Sequence, residues 1–141
     1  MEVANQFPGL WNLIKWTAKQ GDGQVFYPFG EDPAGQLLYD AKGNMMVTIM
    51  KQERKLFASH NFLEGTADEI VAAYNGFVAY SGTYDIDPRA KQVIHHIRIS
   101  SFPNWVGQDQ VRYYDFQNDL LLLRALAIGT TQHELTWQKM P

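Results

Sequence analysis

The feature that most constrains the fold is a two-residue alternation in the second half of the chain. From Val78 to Ile86, Val, Tyr, Gly, Tyr and Ile occupy every other position, and Ala, Ser, Thr and Asp lie between them. Successive side chains of a strand point to opposite faces, so this pattern predicts an amphipathic β-strand. A second alternating segment, Gln92 to Ser101, follows the turn at Asp87-Pro88-Arg89.

Further segments rich in β-favouring residues are separated by Gly, Pro, Asn and Asp, which mark turns. They predict seven more strands, of which the second is short and interrupted by Pro28: Leu10–Ala18, Val25–Phe29, Gln36–Asp40, Asn44–Met50, Gln110–Gln117, Leu120–Leu126 and Glu134–Lys139. The connections are mostly short, which is typical of antiparallel neighbours.

One helix is predicted before the middle strands. Thr66 and Glu69 have the spacing of a capping box, in which each side chain binds the backbone N–H of the other residue. Apolar residues then recur at helical spacing up to Phe77, and Gly76 is placed to end the helix in a left-handed conformation.

Eight or nine short strands and one short helix predict an all-β fold, an antiparallel meander that closes into a barrel. Closure removes both exposed sheet edges, and an eight-stranded barrel has room for packed side chains or one small ligand. A sandwich of two sheets is the alternative for the same pattern.

Length and composition limit the function. With 141 residues and no linker or repeat, residues 1–141 are expected to form a single domain. Twelve Lys and Arg against fifteen Asp and Glu give a net charge of -3 without a basic run, which argues against nucleic-acid binding. The chain has no cysteine, no long apolar segment and no basic leader, so we expect a cytoplasmic protein without contact to a membrane.

The adjacent histidines His95 and His96 are the first candidates for chemistry. Neighbouring residues of a strand point to opposite faces, so the two imidazoles are not expected to share a metal ion. If Val93, Ile97 and Ile99 face the interior, His95 does too, and His96 and Arg98 point outward. His95 is then either a core histidine satisfied by neighbouring tyrosines or a general acid/base. His60 and His133 are isolated in the sequence and receive no role.

Tyr80 and Tyr84 share one strand face, and Gly82 between them leaves a gap that a ligand or a bulky side chain could enter. Tyr39, in the third strand, could add another hydroxyl group. Most buried tyrosines are packing residues with one hydroxyl partner, which is the alternative for all three.

The direction of Arg112 is left open by its sequence context. Inside a barrel it would need a carboxylate, a tyrosine hydroxyl or a ligand anion as partner. Trp105, in Pro103-Asn104-Trp105, either frames the barrel mouth or folds onto the wall.

Several longer segments point to one family: Phe7–Trp11 with its Gly-x-Trp opening, Pro28–Val47, Ala79–Asp87, Val93–Tyr114 and Leu135–Trp137. On these segments the chain closely resembles the lipocalin-like domain family of small bacterial and fungal proteins. The resemblance covers almost the full length and implies a calycin-type β-barrel with an internal cavity. It also allows the alternative that Arg112 stacks on Trp11 and closes the barrel base, a role for which Arg124 is the rival. Two departures from secreted lipocalins, the missing disulfide pair and the early helix, argue against transport outside the cell.

The sequence thus predicts a barrel that binds a small, largely apolar ligand, which could carry a carboxylate or an enol or phenol group. The residues expected to orient it are Tyr39, Tyr80, Tyr84, His95, Trp105 and Arg112. One alternative is an isomerase or cyclase that needs no cofactor or metal, in which His95 or a tyrosine moves a proton. Another is a structural or dimerisation module with a filled barrel. A homodimer is compatible with each of these.

Overall fold

Nine strands and one α-helix make up the described part of the chain, residues 2–125 and 131–141, in a computed structural model. The strands are β1 Gly9–Lys19, β2 Val25–Phe26, β3 Ala34–Tyr39, β4 Asn44–Met50, β5 Phe77–Asp87, β6 Gln92–Ser100, β7 Asp109–Gln117, β8 Leu120–Ala125 and β9 Gln132–Lys139. The helix α1 spans Ala67–Asn75, and 3-10 turns occupy Val3–Gln6 and Pro103–Trp105. The predicted end of β8, Leu126, lies outside the described residues.

The strands form one antiparallel sheet that closes into a barrel. From β3 to β9 each strand pairs with the next in sequence, and β1 pairs with both β3 and β9. The additional strand β2 pairs only with the end of β1, at Ala18 and Lys19. This closure confirms the predicted barrel and excludes the two-sheet alternative.

Aromatic rings fill one end of the barrel. Phe7 contacts Tyr39, Tyr84, Tyr114 and Phe116, with ring centroids 5.0 to 6.4 Å apart. We call these five residues the aromatic floor. Three of the contacts are edge-to-face, the arrangement that the ring quadrupoles favour. The floor leaves the opposite half of the barrel interior available for a pocket.

The cation over Trp11 is neither of the two predicted arginines. Lys139 Nζ lies 5.3 Å from the centroid of the Trp11 ring. Arg124 instead pairs with Glu134 on the exposed surface, and Arg112 lines the pocket described below. Trp11 itself is buried and donates its indole N–H to the carbonyl of Phe7 over 2.9 Å.

A β-bulge between β5 and β6 changes which residues face the core. Ser81 pairs with Ile99 and Gly82 with Ile97, so Arg98 is an extra residue in β6. The extra residue turns Ile99 outward, where it is 71% exposed, and the prediction that Ile99 faces the interior is therefore wrong. Ser100, paired with Tyr80, takes the inward position instead.

The space above Gly82 is occupied by the backbone of β6, not by a ligand or a side chain as the sequence suggested. A Cβ added at Gly82 would overlap the His96 carbonyl oxygen and lie 2.9 Å from the carbonyl carbon. Glycine is therefore required where the bulge brings the two strands together.

Helix α1 begins as predicted and ends differently. Thr66 accepts a hydrogen bond from the backbone N–H of Glu69, and the Glu69 carboxylate accepts one from the backbone N–H of Thr66. Gly76, however, has φ of -107°, so the predicted left-handed ending is wrong. Within the described residues, no helix has the length and apolar character needed to span a bilayer.

The bulge gives a test of the fold. We expect Gly82→Ala to lower the free energy of unfolding by about 2 kcal/mol or more, because the added methyl group must displace backbone atoms. Gly76→Ala is the matched control, since its Cβ would find its nearest neighbour at 3.5 Å, an ordinary contact distance. Urea denaturation measures both, and equal stability of the two variants would contradict the assignment.

Candidate functional site

A pocket of about 450 Å³ occupies the barrel half opposite the aromatic floor. Its walls are mainly apolar side chains that face inward from the strands, among them Leu37, Val47, Leu123 and Leu135. Tyr74 of α1 and Trp105 of the second 3-10 turn also line it. Among the described lining residues Arg112 is the single charged side chain.

The six residues predicted to orient a ligand are not all placed at the pocket. Tyr80, His95, Trp105 and Arg112 line it. Tyr39 lies behind His95 in the aromatic floor. Tyr84 also belongs to the floor, and its hydroxyl group donates to the backbone carbonyl of Asp40 over 2.7 Å.

His95 links the floor to the pocket. It is 2% exposed, its Nε2 lies 2.6 Å from the hydroxyl oxygen of Tyr39, and its Nδ1 lies 2.7 Å from that of Tyr80. The three side chains come from β3, β6 and β5, all at inward positions. Both ring nitrogens therefore have partners, as a buried imidazole requires.

Burial keeps the three hydrogen-bonded side chains, Tyr39, His95 and Tyr80, uncharged at neutral pH. It lowers the pKa of His95 to about 3, and the nearby positive charge of Arg112 acts in the same direction. Burial also raises the pKa of Tyr39 and, against the effect of Arg112, that of Tyr80. At pH 7 the imidazole therefore carries one hydrogen, on one of its two nitrogens.

The buried hydroxyl group of Tyr39 decides which nitrogen carries it. Among the described residues, His95 Nε2 is the one acceptor within hydrogen-bond distance of that hydroxyl. The reverse arrangement would leave the Tyr39 hydroxyl hydrogen buried without a partner, at a cost of about 1–3 kcal/mol. Tyr39 therefore donates to Nε2, and Nδ1–H donates to the oxygen of Tyr80. The hydroxyl hydrogen of Tyr80 remains available to the pocket.

His133, which received no role from the sequence, is a second pocket histidine of the same kind. The indole N–H of Trp16 donates to its Nδ1 over 3.0 Å. Burial, and then the charge of Arg112, lower the pKa of His133. The neutral ring consequently has its hydrogen on Nε2. The alternation of His133, Leu135 and Trp137, all of which line the pocket, was the sequence signal that could have identified it.

Arg112 faces the interior. Its Nη1 donates to the Gln110 side-chain oxygen over 3.1 Å and to the Val111 carbonyl over 3.2 Å. Within residues 2–125 and 131–141, no carboxylate forms a salt bridge with it. Its remaining N–H groups are thus without a protein anion.

Trp137 also lines the pocket, and its buried indole N–H has no acceptor in the described structure.

His96 lies on the outer face, opposite His95. Its Nε2 is 2.8 Å from Asp85 and its Nδ1 is 2.7 Å from Asp109, on the two flanking strands. The hydrogen bonds to Asp109 and then to Asp85 raise the pKa of His96. No group of three or more metal-binding side chains is found in the described part of the chain.

Comparison with known proteins gives a family, a carrier and a fold. The lipocalin-like domain model matches residues 8–140. A 4'-hydroxy-3'-methoxypropiophenone carrier protein from Aspergillus oryzae is 32% identical over 108 residues, which cover 69% of this chain and 97% of the carrier.

Two solved structures resemble the barrel. A lipocalin-like protein from Bacteroides uniformis aligns with a TM-score of 0.50 and 12% identity over 96% of this chain and 99% of its own. A redesigned β-barrel aligns with a TM-score of 0.48 and 12% identity over 98% of this chain and 95% of its own. At such identity the Bacteroides protein supports the fold alone. The matched family and the carrier support small-molecule binding in general.

The hydrogen bonds of His95 with Tyr39 and Tyr80 predict a single neutral tautomer of the His95 imidazole. In ¹H–¹⁵N spectra with labelled histidine, we expect His95 to show a protonated Nδ1 and an unprotonated Nε2 from pH 8 to pH 5, since its pKa is about 3. Protonation of Nε2 at pH 8, or a midpoint near the usual histidine pKa of about 6.5, would contradict this interpretation.

The contribution of His96 to the free energy of unfolding is expected to depend on pH. Its pKa is raised in the folded state, so its stabilising effect is complete below its unfolded pKa of about 6.5 and is lost as pH rises through the folded pKa. The difference in unfolding free energy between the wild type and His96→Gln should therefore shrink as pH rises. Urea denaturation from pH 5 to pH 9 measures it. His60→Gln, in the exposed loop before α1, is the control, and an equal pH trend in both variants would refute this role.

Proposed function

Because the chain belongs to the lipocalin-like domain family, we propose that it is a carrier for a small, largely apolar molecule with an electron-rich oxygen. The ligand occupies the barrel pocket above the aromatic floor. Its oxygen, from a carboxylate, enol or phenol group, lies against Arg112.

The pocket is the observation that carries this proposal. Its volume of about 450 Å³ falls within the roughly 300–1,000 Å³ of small-ligand sites. Apolar and aromatic walls with a few polar groups are also typical of such sites. A pocket of this size argues against the filled barrel of a purely structural module.

The position of Arg112 supports the proposal that the ligand carries an oxygen. A guanidinium group in an apolar pocket is costly unless it is paired, and no carboxylate of the described chain is bonded to it. A ligand oxygen would supply the missing partner. The ligand named for the Aspergillus oryzae carrier is an aryl ketone with a phenol group, and thus an apolar molecule with such oxygens.

The isomerase or cyclase is the second candidate, and the hydrogen-bonded chain of Tyr39, His95 and Tyr80 is the observation in its favour. Acid/base catalysis at neutral pH works best with a group whose pKa lies near 7. Burial lowers the pKa of His95 to about 3 and raises that of Tyr80. Both shifts favour a carrier over an enzyme. Cytoplasmic location and a homodimer stay predictions.

Binding of 4'-hydroxy-3'-methoxypropiophenone tests the proposal. Trp16, Trp105 and Trp137 line the pocket, so quenching of tryptophan fluorescence reports occupancy. We expect saturable binding by the wild type. Absence of saturable binding, both of this compound and of the amphiphilic dye 1-anilinonaphthalene-8-sulfonate, would refute a carrier role.

Arg112→Met should weaken binding of the same ketone by about ten- to a hundredfold, because a hydrogen bond to a charged group contributes about 1.5–3 kcal/mol. Arg124→Met is the matched control: Arg124 pairs with Glu134 and does not line this pocket. Equal affinities of the two variants would show that Arg112 does not hold the ligand.

A further inference from the structure

We infer that the pocket selects ligands by a hydrogen-bond acceptor, a ketone or enolate oxygen, which the hydroxyl group of Tyr80 and its neighbouring donors bind. The inference rests on the proposed carrier function and specifies the class of ligand. It follows from the direction of the hydrogen bonds that surround the pocket.

The first donor is Tyr80. Its oxygen accepts from His95 Nδ1–H, because Nε2 is committed as the acceptor for Tyr39. With these donor and acceptor roles, the hydroxyl hydrogen of Tyr80 has no acceptor among the described residues. Tyr80 therefore presents an O–H group to the pocket.

A second lining group donates as well. His133 uses its Nδ1 as the acceptor for Trp16, and its hydrogen is on Nε2. Among the described residues, no oxygen or nitrogen accepts that hydrogen, which leaves it for a ligand in the pocket.

Arg112 adds a positive charge to the same set. It lines the pocket together with Tyr80, His95 and His133, and its charge affects the pKa of each of them. The Gln110 side-chain oxygen beside it already accepts from Nη1. The polar side chains around Arg112 thus present hydrogen-bond donors to the pocket. His95 adds no free acceptor, because both of its ring nitrogens have partners.

These donors determine which functional group a matching ligand should carry. A ketone or enolate oxygen has lone pairs for donors and no hydrogen that needs an acceptor. A hydrocarbon of the same shape would leave the donors buried without partners, and a site built for hydrogen bonding discriminates against such analogues. The carbonyl group is therefore expected to increase affinity, although it also makes the ligand more soluble in water.

A matched pair of probes tests the inference: 2-propionylnaphthalene, and 2-propylnaphthalene, in which a methylene group replaces the carbonyl. Binding is measured by tryptophan fluorescence or calorimetry. We expect the ketone to bind about tenfold more tightly than the hydrocarbon. Equal binding, or tighter binding of the hydrocarbon, would overturn the inference and leave the carrier function standing. If neither probe nor the dye 1-anilinonaphthalene-8-sulfonate bound, the carrier function would fail too.

Tyr80→Phe locates the effect. It should remove the preference for the ketone, a loss of about tenfold in the ratio of the two dissociation constants. Tyr84→Phe is the matched control: it makes the same change on the same strand, but the Tyr84 hydroxyl bonds to the Asp40 carbonyl and Tyr84 does not line the pocket. This control should retain the wild-type ratio. A folded Tyr80→Phe protein that kept the ketone preference would overturn the assignment to Tyr80.

Discussion

The pairing of β1 with β9 is the constraint on which the rest of the structure depends. It turns a meander with two open edges into a cylinder, and so defines an inside. Every second residue of each strand must then be apolar or find a polar partner within that space. The aromatic floor meets this requirement by packing at one end. The other end is not filled, and the polar side chains that line it include Tyr80, His95, Arg112 and His133.

The two pocket histidines are stabilised in the same way. Each is neutral, since burial disfavours the charged ring, and each accepts a hydrogen bond from an aromatic side chain: Tyr39 for His95 and Trp16 for His133. A neutral imidazole that accepts at one nitrogen must donate at the other. Tyr39 and Trp16 thus determine which nitrogen of each histidine carries the hydrogen and donates it. In the proposed carrier, the specificity of the pocket therefore depends partly on Tyr39, which does not line it.

Much of the fold could be predicted because two-residue alternation and turn residues are local signals. The barrel, the strand Asn44–Met50 and the capping box at Thr66 needed no knowledge of distant contacts. Ile99 was misplaced because an extra residue in one strand cannot be seen without its partner strand. Alternation also gives the face of a side chain but not its depth along the barrel, so Tyr84 in the floor and Tyr80 at the pocket looked equivalent. The role of His133 required the Trp16 contact, which joins residues far apart in sequence.

A fixed set of donors is more useful to a carrier than to an acid/base catalyst. Binding costs free energy whenever side chains must be ordered or hydrogen bonds rearranged, and a site arranged in advance avoids that cost. The hydrogen bonds between Tyr39, His95 and Tyr80 hold the Tyr80 hydroxyl oxygen in place without any contribution from a ligand. The same burial that makes His95 a poor proton acceptor also prevents a change of its charge across the ordinary pH range. The affinity for an acceptor-bearing ligand should therefore be nearly independent of pH on the protein side, with Arg112 as its constant positive charge.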